Sequence, residues 1–386
     1  MAICRYRKGY YMNKERLINE FIELVKVDSE TKFEAKINTL LQEKFTALGL
    51  EVKEDEATKH IDHEANNLIC TLPGNVEHVD PIFFTCHMDT VTPGQQIQPQ
   101  INDDYITSDG TTILGADDKA GIAVLLEVIR QIKEQDLAHG TIQFVITVGE
   151  ESGLMGAKVI DQSLLQATYG YALDSDGAVG SLVTTAPYQA KINATVTGTA
   201  AHAGVAPEKG ISAISVAAKA IAKTKLGRID EETTANIGYF KGGKSTETNV
   251  VVDQVDIVAE ARSLKEEKLE ALLDHMRETF NEATNQYGGS AELNIDIAYP
   301  GFSHEPSSQV VKVAQLAAEK ANLPSELIES GGGSDANIFN GYGIPTANLC
   351  VGYENIHTTK ERIHTDHLVN LTHFILEIVK LSANKD

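Results

Sequence analysis

The feature that most constrains this chain is a set of short apolar runs, three of which lead into an acid or a histidine. Asn67–Leu72, Ile82–His87, Ile142–Val148 and Tyr169–Leu173 are each five to seven residues long. They are too short for a typical helix and too continuous for half-exposed strands, so they read as strands buried on both faces. Helical patterns separate them. Leu17, Phe21, Leu24 and Val25 follow an N-cap at Asn13; Ile37, Leu40, Leu41, Phe45 and Leu48 mark a second stripe; Gly121 to Ile132 is apolar almost throughout. This alternation predicts an α/β fold, with a sheet flanked by helices on both faces.

The chain has 386 residues, enough for two or three domains at ~100–200 residues each. The pattern changes near residue 186. Strand-like Ala190–Thr197, an Ala-rich helix over Ile211–Leu226, strands at Asn236–Phe240 and Val250–Arg262, a helical stripe of Leu269, Leu272, Leu273, Met276 and Phe280, and strand-like Ala291–Ala298 follow one another. The order β-α-β-β-α-β is ferredoxin-like α+β. It predicts a domain spanning 186–300 inserted into a larger one made of 12–185 and 301–386, which ends in a helix over His367–Leu381. Residues 1–11 are basic, lack the apolar core of a secretory signal and read as an extension with little structure.

Lys and Arg number 33 against 55 Asp and Glu, a net charge of −22. That excess argues against nucleic acid or an anionic membrane as partner, since both call for a basic face. It favours a protein that concentrates cations. No stretch reaches the ~20 apolar residues of a membrane span. Cys4, Cys70, Cys86 and Cys350 include no CxxC spacing, and they read as reduced thiols of a cytoplasmic protein.

Five segments place acids or imidazoles at strand ends or in the turns beyond, the edge where open α/β sheets bind ligands. His87-Met88-Asp89 allows Asp89 to hold the His87 ring, because residues i and i+2 of a strand share a face. Gly115-Ala116-Asp117-Asp118-Lys119-Ala120-Gly121 offers a carboxylate to a cation, although an Asp-rich helix cap reads the same way. Gly149-Glu150-Glu151-Ser152-Gly153 follows a strand directly, and in extended chain its two acids would point to opposite sides. Asp174-Ser175-Asp176-Gly177 leaves open which aspartate is the ligand. Asn355-Ile356-His357 has His364 and His367 nearby. Singly, each is an ordinary turn. Together, two histidines and three carboxylates suit a pair of borderline divalent cations, with one carboxylate shared.

At these motifs the chain resembles the dinuclear zinc metallopeptidases, a family that includes tripeptidases, glutamate carboxypeptidase, succinyl-diaminopimelate desuccinylase and aminoacylase. Thr85-Cys-His-Met-Asp-Thr90, Leu114-Gly-Ala-Asp-Asp-Lys-Ala-Gly121 and Val148-Gly-Glu-Glu-Ser-Gly153 carry the likeness, and Gly331-Gly-Gly-Ser-Asp-Ala-Asn337 points to the tripeptidase branch. The resemblance implies a zinc-exopeptidase-like fold whose ferredoxin-like insert is a lid and dimerisation domain. It implies two divalent ions, zinc first and cobalt or manganese as alternatives. His87, Asp117 and Asp174 would hold one ion, and Asp117, Glu151 and His357 the other. Asp89 would orient His87, Glu150 would be the general base, and the Asp117–Asp118 peptide would be cis. In the insert, His202, Asn249 and Arg262 match substrate-binding residues, with His202 reaching the partner subunit's site in a homodimer. His364 stands where the family usually carries proline; the spacing to Glu361 favours His357 as the ligand.

The expected activity is release of the N-terminal residue from tripeptides, with the Arg262 guanidinium clasping the free carboxylate and so limiting peptide length. A carboxypeptidase or N-acyl-amino-acid amidohydrolase could use the same centre. A non-catalytic metal-binding scaffold would have no need of Glu150 beside a full ligand set.

Overall fold

The computed structural model describes residues 12–383. The expected extension over 1–11 lies outside them. The chain divides into two compact units, one of Met1–Thr184, Ser303–Glu329 and Ser334–Asp386, the other of Thr185–Phe302 and Ser330–Gly333.

The first unit is built on a mixed sheet. Its strands run in the spatial order Glu51–Glu54, Leu68–Leu72, Ile142–Thr147, Ile82–His87, Tyr169–Ser175, Thr346–Cys350 and then Leu182–Ala186. Ile82–His87 is parallel to both its neighbours, and Thr346–Cys350 is parallel to Tyr169–Ser175. Every residue of Ile82–His87 and of Ile142–Thr147 is buried, as two-sided helix cover requires. Pleat alternation sends Phe84 to one face, where it stacks between Phe144 and Tyr171 at 6.2 and 5.9 Å. Phe83 goes to the other face and meets Phe339 of the Asp335–Gly341 helix at 4.8 Å. Full burial of one such ring contributes about 1.5–3 kcal/mol.

The helix Lys14–Val25 begins at Asn13, whose Oδ1 accepts the Arg16 N–H at 3.0 Å. This helix packs with Ala116–Glu134 and Thr365–Ala383, and the last of these also packs on Gln309–Ala321. Two elements differ from expectation. The third apolar helix starts at Ala116 rather than Gly121, with Asp117 and Asp118 in non-helical conformations within its first turn. The strand Thr346–Cys350, central in the sheet, has no counterpart in the sequence reading. It is five buried residues between Pro345 and Val351 without a flanking periodic pattern.

The second unit is an antiparallel sheet in the order Gly227–Arg228, Thr233–Gly242, Gln254–Ser263, Tyr188–Thr197 and Ser290–Tyr299. Helices Ala213–Lys223 and Glu266–Tyr287 bury Val216, Ala217, Leu272, Leu273, Met276 and Phe280 against its inward residues Ala194, Val196, Ile257 and Ala261. Apart from the short Gly227–Arg228 strand, this is the ferredoxin-like arrangement. The single strand expected over Val250–Arg262 is broken. Val252 O accepts the Ala213 N–H and Asp253 O accepts the Gly198 N–H, so those two residues leave the ladder. Val250–Val251 pairs instead with Ala201–His202.

Candidate metal centre

Parallel strands end on one edge of their sheet, and the first unit uses that edge. His87 closes Ile82–His87, Glu150 and Glu151 follow Ile142–Thr147, and Asp174 lies near the end of Tyr169–Ser175. Asp117 comes from the irregular first turn of the Ala116–Glu134 helix, and its peptide bond to Asp118 is cis. His357, in the loop before Arg362–His364, adopts φ +60°.

These side chains converge. His87 Nε2 lies 3.1 Å from Asp117 Oδ1 and 3.7 Å from Asp174 Oδ1. His357 Nε2 lies 3.2 Å from Asp117 Oδ2 and 2.9 Å from Glu151 Oε1. Asp117 thus presents one oxygen to each imidazole. Three groups keep their ligand atoms within 4.8 Å of one another: His87, Asp117 and Asp174; Asp117, Glu151 and His357; and His87, Glu150 and Glu151. His364 and Asp176 enter none of these groups among the described residues. The His364 Nδ1 accepts the Asp366 N–H at 3.1 Å, and its ring packs on Tyr105.

The donor set fits divalent cations. His87 Nδ1 is 3.1 Å from the Asp89 carbonyl oxygen, an acceptor, so Nδ1 carries the proton. In the neutral ring, Nε2 then turns a lone pair towards two carboxylate oxygens, and lone pairs face one another unless a cation or proton lies between them. Burial opposes charge on His87, but Asp117, Asp174 and Asp89 outweigh it and hold the ring's pKa well above its usual value. Donation from its ring N–H to the Asp117 and Glu151 carboxylates pushes His357 up to about 10. Asp174 is pushed up to about 7, first by burial, with Asp117 and Asp335 adding to the rise. A site that binds protons this avidly has the electrostatics of a cation site.

The acids are held from behind. Asp89 is fully buried, and its carboxylate accepts the Glu150 N–H at 3.0 Å and the Glu151 N–H at 3.2 Å. Its carboxylate lies 3.4 Å from His87 Nδ1, while its own carbonyl is the nearer partner. Glu150 and Glu151 differ from the expected extended placement. They sit in a turn, not in extended chain: Gly149 has φ +60°, and the Gly153 and Leu154 N–H groups close onto Glu150 O at 2.8 and 2.7 Å. Both carboxylates therefore reach the cluster rather than opposite sides of a strand.

Several residues beyond the sequence reading support the centre. Buried Glu361 accepts the Leu114 and Gly115 N–H groups at 2.8 Å each and the Asp117 N–H at 3.0 Å. It pins the loop carrying the shared aspartate. Lys119 is fully buried and donates to Ser29 Oγ at 2.6 Å; burial lowers it to about 8 against the pull of Asp89, Glu361, Asp117 and Asp118. Buried Asp335 accepts the Thr147 hydroxyl at 2.5 Å. Glu361 and Lys119 lie within motifs whose spacing was noted, but nothing in a linear pattern says which loop an acid will grip.

In the second unit, His202 and Asn249 are neighbours. His202 pairs with Val250 across the two-residue ladder, and the Ala203 N–H donates to Asn249 O at 2.8 Å. His202 Nδ1 accepts the Gly204 N–H at 3.2 Å, which leaves Nε2 as the protonated nitrogen. Arg262 Nη1 donates to Gly331 O at 3.2 Å, and Glu260 holds Nη2 at 3.1 Å.

A mixed sheet with acids and imidazoles gathered at its parallel-strand edge, two of them facing one shared aspartate, defines a metal-dependent hydrolase. The family model described as "Peptidase family M20/M25/M40" matches residues 83–381. The chain belongs to that family and is a peptidase. It is 58% identical to an aminopeptidase PepT from Bacillus cereus whose crystal structure superposes with TM-score 0.92, covering 97% of this chain and all of that one. A tripeptidase from Staphylococcus aureus is 51% identical with TM-score 0.93 at the same coverage. The uncharacterised protein YqjE of Bacillus subtilis is 55% identical over 96% of this chain and 100% of its own length.

Proposed function

We propose that this peptidase releases the N-terminal residue from tripeptides, with Glu150 as general base and two divalent ions, zinc first, as cofactors. The observation that carries the reading is Asp117 with an oxygen at 3.1 Å from one imidazole and another at 3.2 Å from a second, so that this carboxylate would serve two cations at once. The first ion would be held by His87, Asp117 and Asp174, the second by Asp117, Glu151 and His357. Similarity to the Bacillus cereus PepT and the Staphylococcus aureus tripeptidase supports tripeptides as substrate.

Bound divalent ions would acidify a water and polarise the scissile carbonyl. The chain's own groups do the rest. Desolvation first, then Asp174, pushes the Glu150 carboxyl well above the usual carboxylate range, which suits a group that takes a proton from water and delivers it to the leaving amine. Asp89 fixes that group by gripping the Glu150 and Glu151 N–H donors. In a homodimer His202, with Nε2 protonated, would reach the partner subunit's site and donate to the carbonyl oxygen as charge develops there. Asn249 anchors the peptide beside it. Arg262 would clasp the free carboxylate, and Glu260 holds its guanidinium plane in place.

A panel of free tripeptides, amidated tripeptides, dipeptides and N-acetyl amino acids tests this. Free tripeptides are expected to be cleaved fastest, to release the first residue, and to go uncleaved after rigorous chelation until zinc, cobalt or manganese is restored. Amidated tripeptides turned over as fast as free ones would remove the Arg262 clamp; faster cleavage of N-acetyl amino acids would make the chain an amidohydrolase instead.

We also read the chain as a homodimer. Beyond Ala235 the Thr233–Gly242 strand has an open edge among the described residues, and Tyr239 and Phe240 on it are exposed; an open apolar edge invites a second copy. Sedimentation velocity should show twice the 41.8 kDa chain mass, and a fully active monomer would contradict it. Buried, unpaired Cys70, Cys86 and Cys350 suit a reducing compartment, and no described helix is long and apolar enough to cross a membrane. We place the protein in the cytoplasm.

A further inference from the structure

The turn carrying Glu150 and Glu151 is held on one side by Asp89. The same turn also meets a buried pair that no ligand motif includes. His63 Nδ1 is 2.8 Å from Glu34 Oε1, and the two side chains are 3% and 0% exposed. Glu34 Oε1 also accepts the Lys32 N–H at 2.9 Å, and the Glu64 N–H donates to Lys32 O at 3.0 Å. The loops bearing the acid and the imidazole are therefore tied to each other by main chain as well as side chain. The face of the His63 ring lies directly against Gly149, where an added Cβ would overlap it. Its Nε2 is 3.4 Å from Ser152 Oγ.

Serine, histidine and glutamate in that order suggest a nucleophilic triad. The Ser152 hydroxyl argues otherwise: it is 3.1 Å from Gly149 O, to which it donates, closing its own turn and leaving no proton for His63 to take. What the ring contacts is the turn itself, at Gly149 and Ser152, the residues on either side of the two acids.

We propose that Glu34 and His63 are positioning residues for the metal centre, a buried prop that sets where the Gly149–Gly153 turn aims Glu150 and Glu151. The inference rests on the reading of those two acids as base and ligand. The Glu34 carboxylate fixes the orientation of the ring, as acids behind metal-bound imidazoles do; here the imidazole acts on the backbone of the turn instead of on an ion. Gly149 is the partner surface, because only a residue without Cβ lets the ring come so close.

His63→Ala, His63→Gln and Glu34→Gln test the prop. Each is assayed for kcat and KM on a tripeptide and, independently of any substrate, for zinc affinity by competition with a chromophoric chelator. Loss of outer contacts at metal centres weakens binding by about 10–100-fold. His63→Ala is expected to weaken the more loosely held zinc by about tenfold or more, to lower kcat by at least tenfold, and to leave KM within about twofold. His63→Gln, whose amide reaches the Nε2 position, is expected to recover most of both losses. Glu34→Gln keeps the shape of the acid and should fall between wild type and His63→Ala. Zinc affinity unchanged in His63→Ala, or a loss that His63→Gln does not recover, would overturn the prop. Should His63→Ala fail to fold, unchanged zinc affinity in Glu34→Gln would do the same. If the wild-type chain cleaved no tripeptide, the proposed function would fail while the zinc titrations still decided this point.

Discussion

Glu150→Gln is expected to retain wild-type zinc content and lose about 10²–10⁴-fold in kcat, the usual contribution of a positioned general base. That factor corresponds to roughly 3–5 kcal/mol of barrier. The substitution is nearly isosteric. The Glu150 N–H stays on Asp89, and the turn stays closed through Glu150 O and the Gly153 and Leu154 N–H groups. Neither group of the proposed two-ion set contains Glu150, so both ligand sets survive: His87, Asp117 and Asp174, and Asp117, Glu151 and His357. What disappears is the ability to accept a proton. KM should stay within about threefold, because an interaction made mainly in the transition state lowers kcat and kcat/KM together. Metal analysis by mass spectrometry, beside steady-state kinetics on one tripeptide, reads both. A variant with near-wild-type turnover would show that Glu150 is not the base. A variant that had lost zinc would show that it is a ligand, as its nearness to His87 and Glu151 also allows.

Asp117→Ala should have the largest effect on the metals themselves. Both proposed ion sites share this residue, so one substitution strips a ligand from each. Zinc content after gel filtration should fall from about two ions per chain to below one, and activity should drop to background. Thermal stability offers a second reading. A ligand that binds only the folded state stabilises it by RT ln(1 + [L]/Kd), about 2.7 kcal/mol at a hundred times Kd. Added zinc should therefore raise the melting temperature of the metal-free wild type and leave Asp117→Ala unmoved. Asp174→Ala makes the contrast, since Asp174 belongs only to the group with His87 and Asp117, and it should keep the ion at Glu151 and His357. Equal loss of both ions in the two variants would sink the shared-carboxylate arrangement.

How much of this was legible in the sequence depends on range. Strand and helix periodicity is local, and it gave the buried runs at Ile82–His87 and Ile142–Thr147 and the β-α-β-β-α-β order of the second unit. Strand-end placement also marked His87, the Glu150–Glu151 pair and the Asp174–Asp176 turn, without choosing between its two aspartates, because a strand's last residues sit at the sheet edge whatever its neighbours are. The break at Val252 and Asp253 was not legible: those residues are as strand-like as the ones around them, and they leave the ladder only because Ala213 and Gly198 bring N–H groups to their carbonyls. The two-sided placement of Glu150 and Glu151 failed for a similar reason. It assumed extended chain where Gly149 turns it.

What the sequence determined alone, then, was the inventory: which acids and imidazoles stand at the ends of which apolar strands, and that those strands are buried on both faces. Tertiary structure decided the partnerships. His357 meets Asp117 and Glu151, Glu361 reaches back across 244 positions to the Asp117 N–H, and His63 seats against Gly149. The reason is the order of strands in the sheet. Side-chain periodicity repeats over a few residues and reports only which face a residue takes, whereas strand order brings distant loops to a common edge and is set by the packing of the whole core.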